Sequence, residues 1–442
     1  MSSKRFIEIT PSNQVPTSTM SYRNGNNIIS FTLGASDMML IPSSVRLQGN
    51  IAFYKSDGVL ATAGDKLMIN ERVGVYGAFS QIIIKNGQQQ VMEHLKHYNR
   101  FMASYLPAHT SVNDSMTYNQ NQSLTSPNWD LSTQKLVNSG GVEPNGVSFC
   151  CPLPCGVLSS STPLPLSNVY GMNGCVIDVV LNNDSDFFFE QDHTGSNISD
   201  AYYQLSDVKL VAEVIDPDED TISQLSSQKE QGMTFNSFST YYTSINSQNA
   251  IINFSLALKN CISAFCNFIP SKYINNRNFD GATTLPPLNA GGEVATLKSI
   301  LFTRGGEAFP TQYQIDTIQK DQLDTTLTPA IPKCTEMDAQ VVESWMNAIR
   351  DWSKPLQRTQ ISQRNAGYDI NNAKNPYLAE GGINFGVGQL FTLFDTGVDF
   401  SSQTFGINMQ LELTSDSPNA VFLFIKNKAS IVYNENGLQV VQ

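Results

Sequence analysis

The sequence predicts an all-β protein made of two tandem eight-stranded sandwiches of the jelly-roll type, each with one inserted helix and long outward loops. Three observations support this prediction. The chain has 442 residues, which is too many for one ordinary core. Apolar and polar residues alternate with a period of two in many short segments. The two halves repeat the same order of segments, and many short strands with long connections are typical of sandwiches.

Alternation is clearest at 44–54, 207–215 and 407–414. In each segment the apolar residues share one face, as in a strand that packs this face on a core. Clusters of Gly, Asn, Asp, Ser and Pro, which are typical of turns, separate these segments from similar ones. The predicted core faces are Val45, Leu47, Ile51 and Phe53; Val208, Leu210, Ala212 and Val214; and Ile407, Met409, Leu411 and Leu413. The similar segments lie at 28–33, 80–84, 249–258, 299–303, 389–393, 420–425 and 428–433.

Two segments, one in each half, predict helices because their apolar residues recur at steps of three and four. The first segment is 89–106, and Pro107 ends it. The second is 338–353, with Asp338 as its N-cap and Pro355 beyond its end. The apolar stripes are Val91, Leu95, Tyr98, Met102 and Tyr105 in the first segment and Val342, Trp345, Ile349 and Trp352 in the second.

The duplication is visible in two similar segments near the ends of the halves, VIDVVLNNDSDF at 176–187 and INMQLELTSDSP at 407–418. Each half contains strands, a helix, a long polar loop and further strands, so a whole domain is repeated rather than a solenoid unit of about 20–50 residues. The polar loops lie at 107–147 and 354–386. The predicted first roll covers 21–216, a charged linker covers 217–236 and the second roll covers 237–442.

Composition argues against binding to nucleic acid or insertion into a membrane. The net charge is −12, and no basic run offers the clustered Lys and Arg that phosphate contacts need. No apolar stretch approaches 18 residues, and the N-terminal segment has no signal-peptide core. Charged residues make up only 15% of the chain, against about 25% in an average protein. Such a polar but weakly charged surface is common where much of it contacts other protein.

Two groups of potential metal ligands stand out, and neither is complete. Cys150, Cys151 and Cys155 lie close together, but zinc takes four ligands, usually as two spaced pairs. An odd total of seven cysteines favours reduced thiols, and small apolar residues in or beside a strand are the simpler interpretation. Glu93, His94 and His97 have the spacing of helical metal ligands, but His109 and His193 are the remaining histidines. Solvated or interface histidines are therefore the preferred interpretation.

Asp216, Asp218 and Asp220 alternate as in a calcium loop, but Thr221 and Ser227 replace the Gly and Glu that an EF-hand requires. An exposed acidic linker is preferred, and loosely bound calcium at a subunit contact remains an alternative.

The glycine-rich segment 381–388 lacks the ending of a phosphate loop and is interpreted as flexible chain. We therefore predict no catalytic, cofactor-binding or metal-binding residue. Glycosylation sequons at Asn113, Asn121, Asn183, Asn197 and Asn253 are interpreted as chance matches, and Asn253 is expected to lie buried in a strand.

The chain resembles the double-jelly-roll major capsid proteins of virophages, polinton-like viruses and related DNA viruses of eukaryotes. The ordered set of segments carries the resemblance, over nearly the whole length of the chain. These segments are RLQGNIAFY at 46–54, YGAFSQIIIKNGQQQVMEHLKHYNRF at 76–101, LSDVKLVAEVI at 205–215, GEAFPTQYQI at 306–315, and FGINMQLELTSDSP with VFLFIKNKASIVY at 405–433.

The resemblance implies assembly rather than a reaction. In such proteins three chains form a homotrimer whose six jelly rolls make a pseudo-hexameric capsomer, and capsomers tile an icosahedral capsid. A single-jelly-roll penton protein and minor capsid proteins complete the shell. The chain is then a structural protein of the virion, made and assembled inside the infected cell and not secreted. By the same resemblance the loops 107–147, 270–298 and 354–388 lie on the outer face. An N-terminal arm over 1–20 lies inside and contacts neighbouring capsomers, minor proteins or an internal membrane.

Two further functions are compatible with an all-β chain. One is a jelly-roll carbohydrate-binding or host-attachment protein of a virus, for which the Tyr-rich segment YYTS at 241–244 offers aromatic residues. The other is a β-sandwich hydrolase, which would need paired carboxylates near a concave face. Because the acidic residues lie mainly in linkers, we predict that the protein is not an enzyme.

Overall fold

The structure of the chain is a computed structural model. The structure describes residues 3–15, 18–25, 27–61, 65, 67–70, 73–109, 147–167, 172–190, 200–220, 223, 233–247, 249–277, 296–309, 315–316, 323–324, 331–332, 380–384, 397–412, 419–434 and 437–441. The predicted helix 338–353, the segment 389–393 and most of the three predicted outer loops lie outside these residues.

Antiparallel strands dominate both halves of the chain. The first half contains β1 (Ser3–Ile9), β2 (Ile28–Leu33), β3 (Met39–Tyr54), β4 (Leu67–Ile69), β5 (Phe79–Asn86), β6 (Val91–Lys96), α1 (Tyr98–His109), β7 (Val147–Pro152), β8 (Leu164–Pro165), β9 (Cys175–Leu181), α2 (Asp184–Phe187), β10 (Phe188–Glu190) and β11 (Tyr202–Asp216). The second half contains β12 (Met233–Ile245), β13 (Asn249–Ser255), β14 (Cys261–Pro270), β15 (Thr296–Arg304), β16 (Glu307–Ala308), β17 (Ile315–Asp316), β18 (Leu323–Asp324), β19 (Ile331–Pro332), β20 (Glu380–Asn384), β21 (Thr404–Glu412), β22 (Asn419–Asn434) and β23 (Gly437–Val441).

The same strand order occurs in both halves. The first half forms the sheets β1-β11-β3-β7 and β2-β9-β5-β6, and the second forms β12-β22-β14-β20 and β13-β21-β15-β16. When the main strands of each half are lettered B to I in chain order, both halves give a BIDG sheet and a CHEF sheet. Two such sheets packed face to face make an eight-stranded jelly roll, so the predicted fold class is confirmed. We call the two units the first roll and the second roll.

The predicted core faces are confirmed wherever the structure describes them. All eight apolar residues named at 44–54 and 207–215 are buried in β3 and β11, and Ile407 and Met409 are buried in β21. The side chains of Leu411 and Leu413 lie outside the described set. The two similar segments near the ends of the halves begin in β9 and β21, which are the H strands of the two rolls. The internal repeat therefore corresponds to one topological position, occupied twice.

The predicted helix at 89–106 is correct only in its second part. Residues 91–96 form β6, which pairs with β5 through Leu95 opposite Ile82 and completes the CHEF sheet. A short apolar segment fits helical and strand periods alike, and sheet pairing decides between them. The chain changes from strand to helix at His97, whose φ is 52°. The helix α1 then continues to His109, so Pro107 lies in its last turn instead of ending it.

The termini of the rolls also differ from the prediction. Residues 3–9 form β1, which pairs with β11 as an edge strand of the BIDG sheet, where we predicted an arm over 1–20. The strand β12 begins at Met233, inside the predicted linker. In both places the chain extends a sheet through backbone hydrogen bonds that composition does not reveal. Among the described residues, no helix is long and apolar enough to cross a membrane.

Candidate functional site

The most developed contact in the chain is the junction between the two rolls. The BIDG sheet of the second roll has two apolar faces. Its inner face, with Val421, Leu423 and Ile425 of β22, belongs to the core of the second roll. Its outer face, with Phe422 and Phe424, is part of one continuous core with the first roll. The first roll therefore covers the outer BIDG face of the second roll.

The helix α1 of the first roll supplies aromatic contacts across this junction. The ring centroid of Phe101 lies 4.9 Å from that of Phe238 in β12 and 5.6 Å from that of Phe424 in β22. The ring of Tyr105 meets Phe238 at 6.1 Å. Aromatic pairs of this geometry each contribute about 0.5–1.5 kcal/mol beyond their buried area. Both rolls are thus held by one helix whose residues 98–106 are buried on every side, with Asn99, Arg100 and Ser104 as its buried polar side chains.

Glu93 of β6 links three segments through its buried carboxylate. Its Oε1 accepts hydrogen bonds from the backbone N–H of Gly156 at 2.9 Å and of Phe238 at 3.1 Å, and its Oε2 accepts one from Val157 at 2.7 Å. The Ser237 hydroxyl donates to Oε1 at 3.4 Å. The carboxylate therefore joins β6 and the loop after β7 in the first roll to β12 in the second. Burial raises the pKa of Glu93, and the backbone donors partly oppose that shift.

Gly156 allows the rolls to approach this closely. A Cβ atom at this position would lie 2.0 Å from the carbonyl oxygen of Asn236 in β12 and 2.6 Å from Oε1 of Glu93. Contacts of that length are sterically impossible without displacement of the backbone. A residue without a side chain is thus required where the first roll meets β12.

A second polar group lies at the other side of α1. Arg100 is buried and pairs with Asp186 of α2, which also accepts a hydrogen bond from the Asn99 amide at 3.0 Å. The Asn267 amide of β14 donates to the Arg100 carbonyl at 3.1 Å, and the Ser104 hydroxyl donates to Asn267 at 3.0 Å. Buried charges are stable only when they are paired, and here the pair lies within the first roll. The neutral Asn267 contacts it from the second roll, as does the backbone N–H of Asn275, which donates to Asp186 at 3.4 Å, and the Arg100 guanidinium lies 5.8 Å from the ring centroid of Phe422.

His97 lies between the rolls as a neutral aromatic residue. Its ring centroid is 4.8 Å from that of Phe422 and 5.6 Å from that of Tyr242. Burial, together with the nearby charge of Arg100, lowers the pKa of His97 to about 4. Its imidazole is therefore uncharged at neutral pH and packs as an apolar ring.

The structure separates the sequence candidates Glu93, His94 and His97. Because 91–96 is a strand, the first two point to opposite faces, and the helical spacing argument does not apply. His94 contacts the amide oxygen of Gln81 through Nε2 at 2.6 Å on the outer face of the CHEF sheet. His193 lies outside the described residues, and for His109 the structure describes the backbone alone. Within the part of the chain that the structure describes, no three potential ligands converge on one point.

The three cysteines of the CCPLPC segment lie in and just after β7. Cys151 and Cys155 are fully buried, and burial raises the pKa of both thiols well above the ordinary value. Cys150 is partly exposed on the opposite face and accepts a hydrogen bond from the Gln48 amide at 3.4 Å. Each described cysteine is a free thiol. Small apolar residues in a strand were the predicted interpretation, and their placement agrees with it.

The remaining sequence candidates are dispersed. Asp216 ends β11 and pairs with Arg5 at 3.5 Å, while Thr221 and Ser227 lie outside the described residues. Residues 381–384 of the glycine-rich segment form part of β20, so this part is strand rather than flexible chain. Asn183 caps α2, and Asn113, Asn121 and Asn197 lie outside the described residues. Asn253 lies in β13 as predicted, but its side chain is exposed rather than buried.

Sequence reasoning missed the junction, although two signals pointed to it. The helical segment after His97 carries apolar residues over more than half of its circumference, interrupted by Asn99, Arg100 and Ser104, and so wide an apolar face predicts burial against two partners instead of one. Glu93 lies among apolar residues in a strand, and an acidic residue is rarely buried without hydrogen-bond partners.

Comparisons with known proteins identify the architecture. No protein-family model matches the chain, and no curated protein sequence does. A structure of PBCV-1 VP54 fitted into a reconstruction of the virophage Sputnik aligns with a TM-score of 0.57 and 10% identity, over 100% of this chain and 97% of that one. A structure of the Sputnik virophage at 3.5 Å aligns with a TM-score of 0.57 and 9% identity, over 99% and 88%.

A third similar structure is the major capsid protein of Faustovirus, with a TM-score of 0.53 and 9% identity over 98% of this chain and 91% of that one. At such low identity the similarity establishes the fold alone. It extends over the whole chain, so both rolls are matched together and not one at a time. This chain has the double-jelly-roll fold of these viral capsid structures.

Proposed function

We propose that the chain is the major capsid protein of a virus and assembles as a homotrimer. The observation that carries this proposal is the continuous, hydrogen-bonded junction between the rolls. A continuous core and the Glu93 hydrogen bonds fix the angle between two equivalent sandwiches in one chain. Three such chains around an axis would present six equivalent units, and this pseudo-hexameric capsomer can tile an icosahedral shell. The role is structural and requires no catalytic step.

The proposed partners are neighbouring capsomers, a single-jelly-roll penton protein and minor capsid proteins. We propose that 217–232 connects the rolls. The strand β12 is then the B strand of the second BIDG sheet, as β1 is the B strand of the first. We do not propose contact with an internal membrane through an N-terminal arm, because residues 3–9 are already held in a sheet by β11.

A glycan-binding role receives no support from the tyrosines that suggested it. The Tyr241 hydroxyl donates a hydrogen bond to the Leu256 carbonyl at 2.7 Å inside the second roll. Tyr242 points to the other face and contacts His97 and Phe422 at the junction. The YYTS segment thus contributes to packing rather than to an open aromatic groove.

Light scattering on a sizing column tests the proposal directly. One chain has a mass of 48.7 kDa, so a trimer has three times that mass, about 146 kDa. We expect a species of this mass that persists on dilution, because obligate interfaces bury on the order of 2,000 Å² or more. Electron microscopy should then show pseudo-hexagonal particles. A monomer at every concentration would contradict the proposal.

A further inference from the structure

Asparagine followed by glycine can modify itself without an enzyme. The backbone nitrogen of the glycine attacks the side-chain amide carbon of the asparagine, ammonia leaves, and a cyclic succinimide forms. Water then opens the ring at either carbonyl and gives aspartate or isoaspartate. Glycine favours the attack because it has no side chain to shield its nitrogen and its backbone turns freely. In the described part of the chain, three such pairs occur, at 24–25, 86–87 and 173–174.

Asn86 and the glycine after it are held against this reaction. Asn86 is fully buried, and its side-chain oxygen accepts hydrogen bonds from the backbone N–H groups of Gln88 at 3.0 Å and Gln90 at 2.8 Å. Its side-chain nitrogen donates to the Gln90 side chain at 2.9 Å. The attacking nitrogen is also engaged, since the N–H of Gly87 donates to the Met172 carbonyl oxygen at 2.9 Å. Neither reacting group can move toward the other unless these bonds break.

Asn173 is held through the glycine that follows it. Gly174 is buried, and its N–H donates to the Leu166 carbonyl oxygen at 3.1 Å. A Cβ atom on Gly174 would collide with the carbonyl oxygen of Leu33, so the backbone here is packed closely against the end of β2. Closing a succinimide ring at Asn173 would have to displace both neighbours.

Asn24 differs from both of these residues. It ends a single 3-10 turn, Tyr22–Asn24, and both Asn24 and Gly25 are exposed. Among the described residues, no group forms a hydrogen bond with the Asn24 side chain. The N–H of Gly25 donates to the Tyr22 carbonyl oxygen at 3.2 Å within this turn, and bonds of the 3-10 type have poor geometry. A Cβ atom on Gly25 would have nothing within 4 Å, so there is room for the ring to close.

We propose that Asn24 is a site of spontaneous deamidation in the folded chain and that the fold protects Asn86 and Asn173. The reaction needs only water. The amide nitrogen of Asn24 leaves as ammonia, the new carboxylate takes an oxygen atom from water, and no group is oxidised or reduced. This inference stands apart from the proposed trimer, and its test requires no assembly.

The modification would change the turn that carries Arg23. The Arg23 guanidinium lies 4.9 Å from the ring centroid of Tyr202 and donates to the Asp200 carbonyl oxygen at 3.2 Å, so it attaches the turn to the start of β11. Aspartate at position 24 adds a negative charge next to this cation. Isoaspartate also adds a carbon atom to the backbone of the turn. Deamidation would therefore alter both the charge and the shape of this part of the surface.

Peptide mapping by mass spectrometry tests the proposal on the full-length chain. The purified protein is incubated in water that carries heavy oxygen, so that only acid formed during the incubation is labelled. We expect label at Asn24 to appear on the order of tenfold or more faster than at Asn86 or Asn173, because the two held sites react only after local opening. The same incubation in guanidinium chloride is the matched control, since it removes the contacts and keeps the sequence. There the three sites should react at similar rates.

The variant Asn24→Gln provides a second control. The longer side chain of glutamine closes a larger ring far more slowly, so label at position 24 should disappear while the rates at Asn86 and Asn173 stay the same. A native chain in which Asn24 reacts as slowly as Asn86 would overturn the proposal. A faster reaction at Asn24 that persists in guanidinium chloride would overturn it as well, because the difference would then come from neighbouring residues in the sequence and not from the fold.

Discussion

At the scale of single residues, the junction depends on the buried carboxylate of Glu93, and none of its hydrogen-bond donors is a cation. Glu93 accepts its hydrogen bonds from backbone N–H groups, the Ser237 hydroxyl and the Cys155 thiol. Burial favours its protonated form, so the native chain binds this proton more tightly than the unfolded chain does. The stability that comes from this group is therefore complete below the ordinary pKa of 4.5 and declines as the pH rises toward the raised pKa.

The variant Glu93→Gln should remove this pH dependence, because an amide of the same shape cannot ionise. We expect the free energy of unfolding of the wild type, relative to that of E93Q, to fall as the pH rises above 4.5 and then to level off. Urea unfolding of both proteins between acidic and neutral pH measures the difference. Parallel pH profiles for the two proteins would show that Glu93 titrates alike in the native and unfolded chains.

Gly156 gives a steric prediction at the same place. The variant Gly156→Ala should lower the free energy of unfolding by about 1–3 kcal/mol, as overpacking of a dense interior does. The cause is that the new Cβ would meet the Asn236 carbonyl oxygen at 2.0 Å. The control is Gly34→Ala, since a Cβ there has nothing within 4 Å. Equal thermal midpoints for the two variants would contradict the proposed close approach of the rolls.

At the scale of secondary-structure elements, α1 connects the two rolls, and its aromatic residues carry the contact. The variant Phe101→Ala should cost about 3–5 kcal/mol of stability, because it leaves a cavity where Phe238 and Phe424 meet the helix. Val91→Ala is a suitable control, since Val91 is 48% exposed in β6. Denaturant unfolding checks both values. A loss for F101A as small as that for V91A would show that α1 does not hold the rolls together.

The elements also show which parts of the fold are readable from sequence. The core faces of β3 and β11 were predicted correctly, because one side of each strand packs inside a roll and the pattern is local. The strand β6 was mistaken for helix, because its pairing with β5 depends on a partner elsewhere in the chain. The strand β1 was missed for the same reason. The junction itself joins residues such as Glu93 and Phe238, which lie far apart in sequence, and alternation carries no information about such a contact.

At the scale of the whole molecule, the continuous core predicts that the two rolls unfold together. Tandem domains with weak contacts unfold separately, but here Phe422 and Phe424 of the second roll are buried only because the first roll covers them. Separating the rolls would expose this apolar surface to water, which costs about 25 cal/mol of free energy for each Å² exposed. We expect one calorimetric transition, with the calorimetric enthalpy equal to the van't Hoff enthalpy.

The double variant with Phe101→Ala and Phe422→Ala makes this prediction specific. Removing one aromatic ring from each side of the junction weakens the contact between rolls and leaves the inner face of β22, with Val421 and Leu423, intact. The single transition should then separate into two, one for each roll. Two transitions already present in the wild type would mean that the junction does not couple the rolls. A fixed angle between them, which the proposed capsomer requires, would then need support from neighbouring chains.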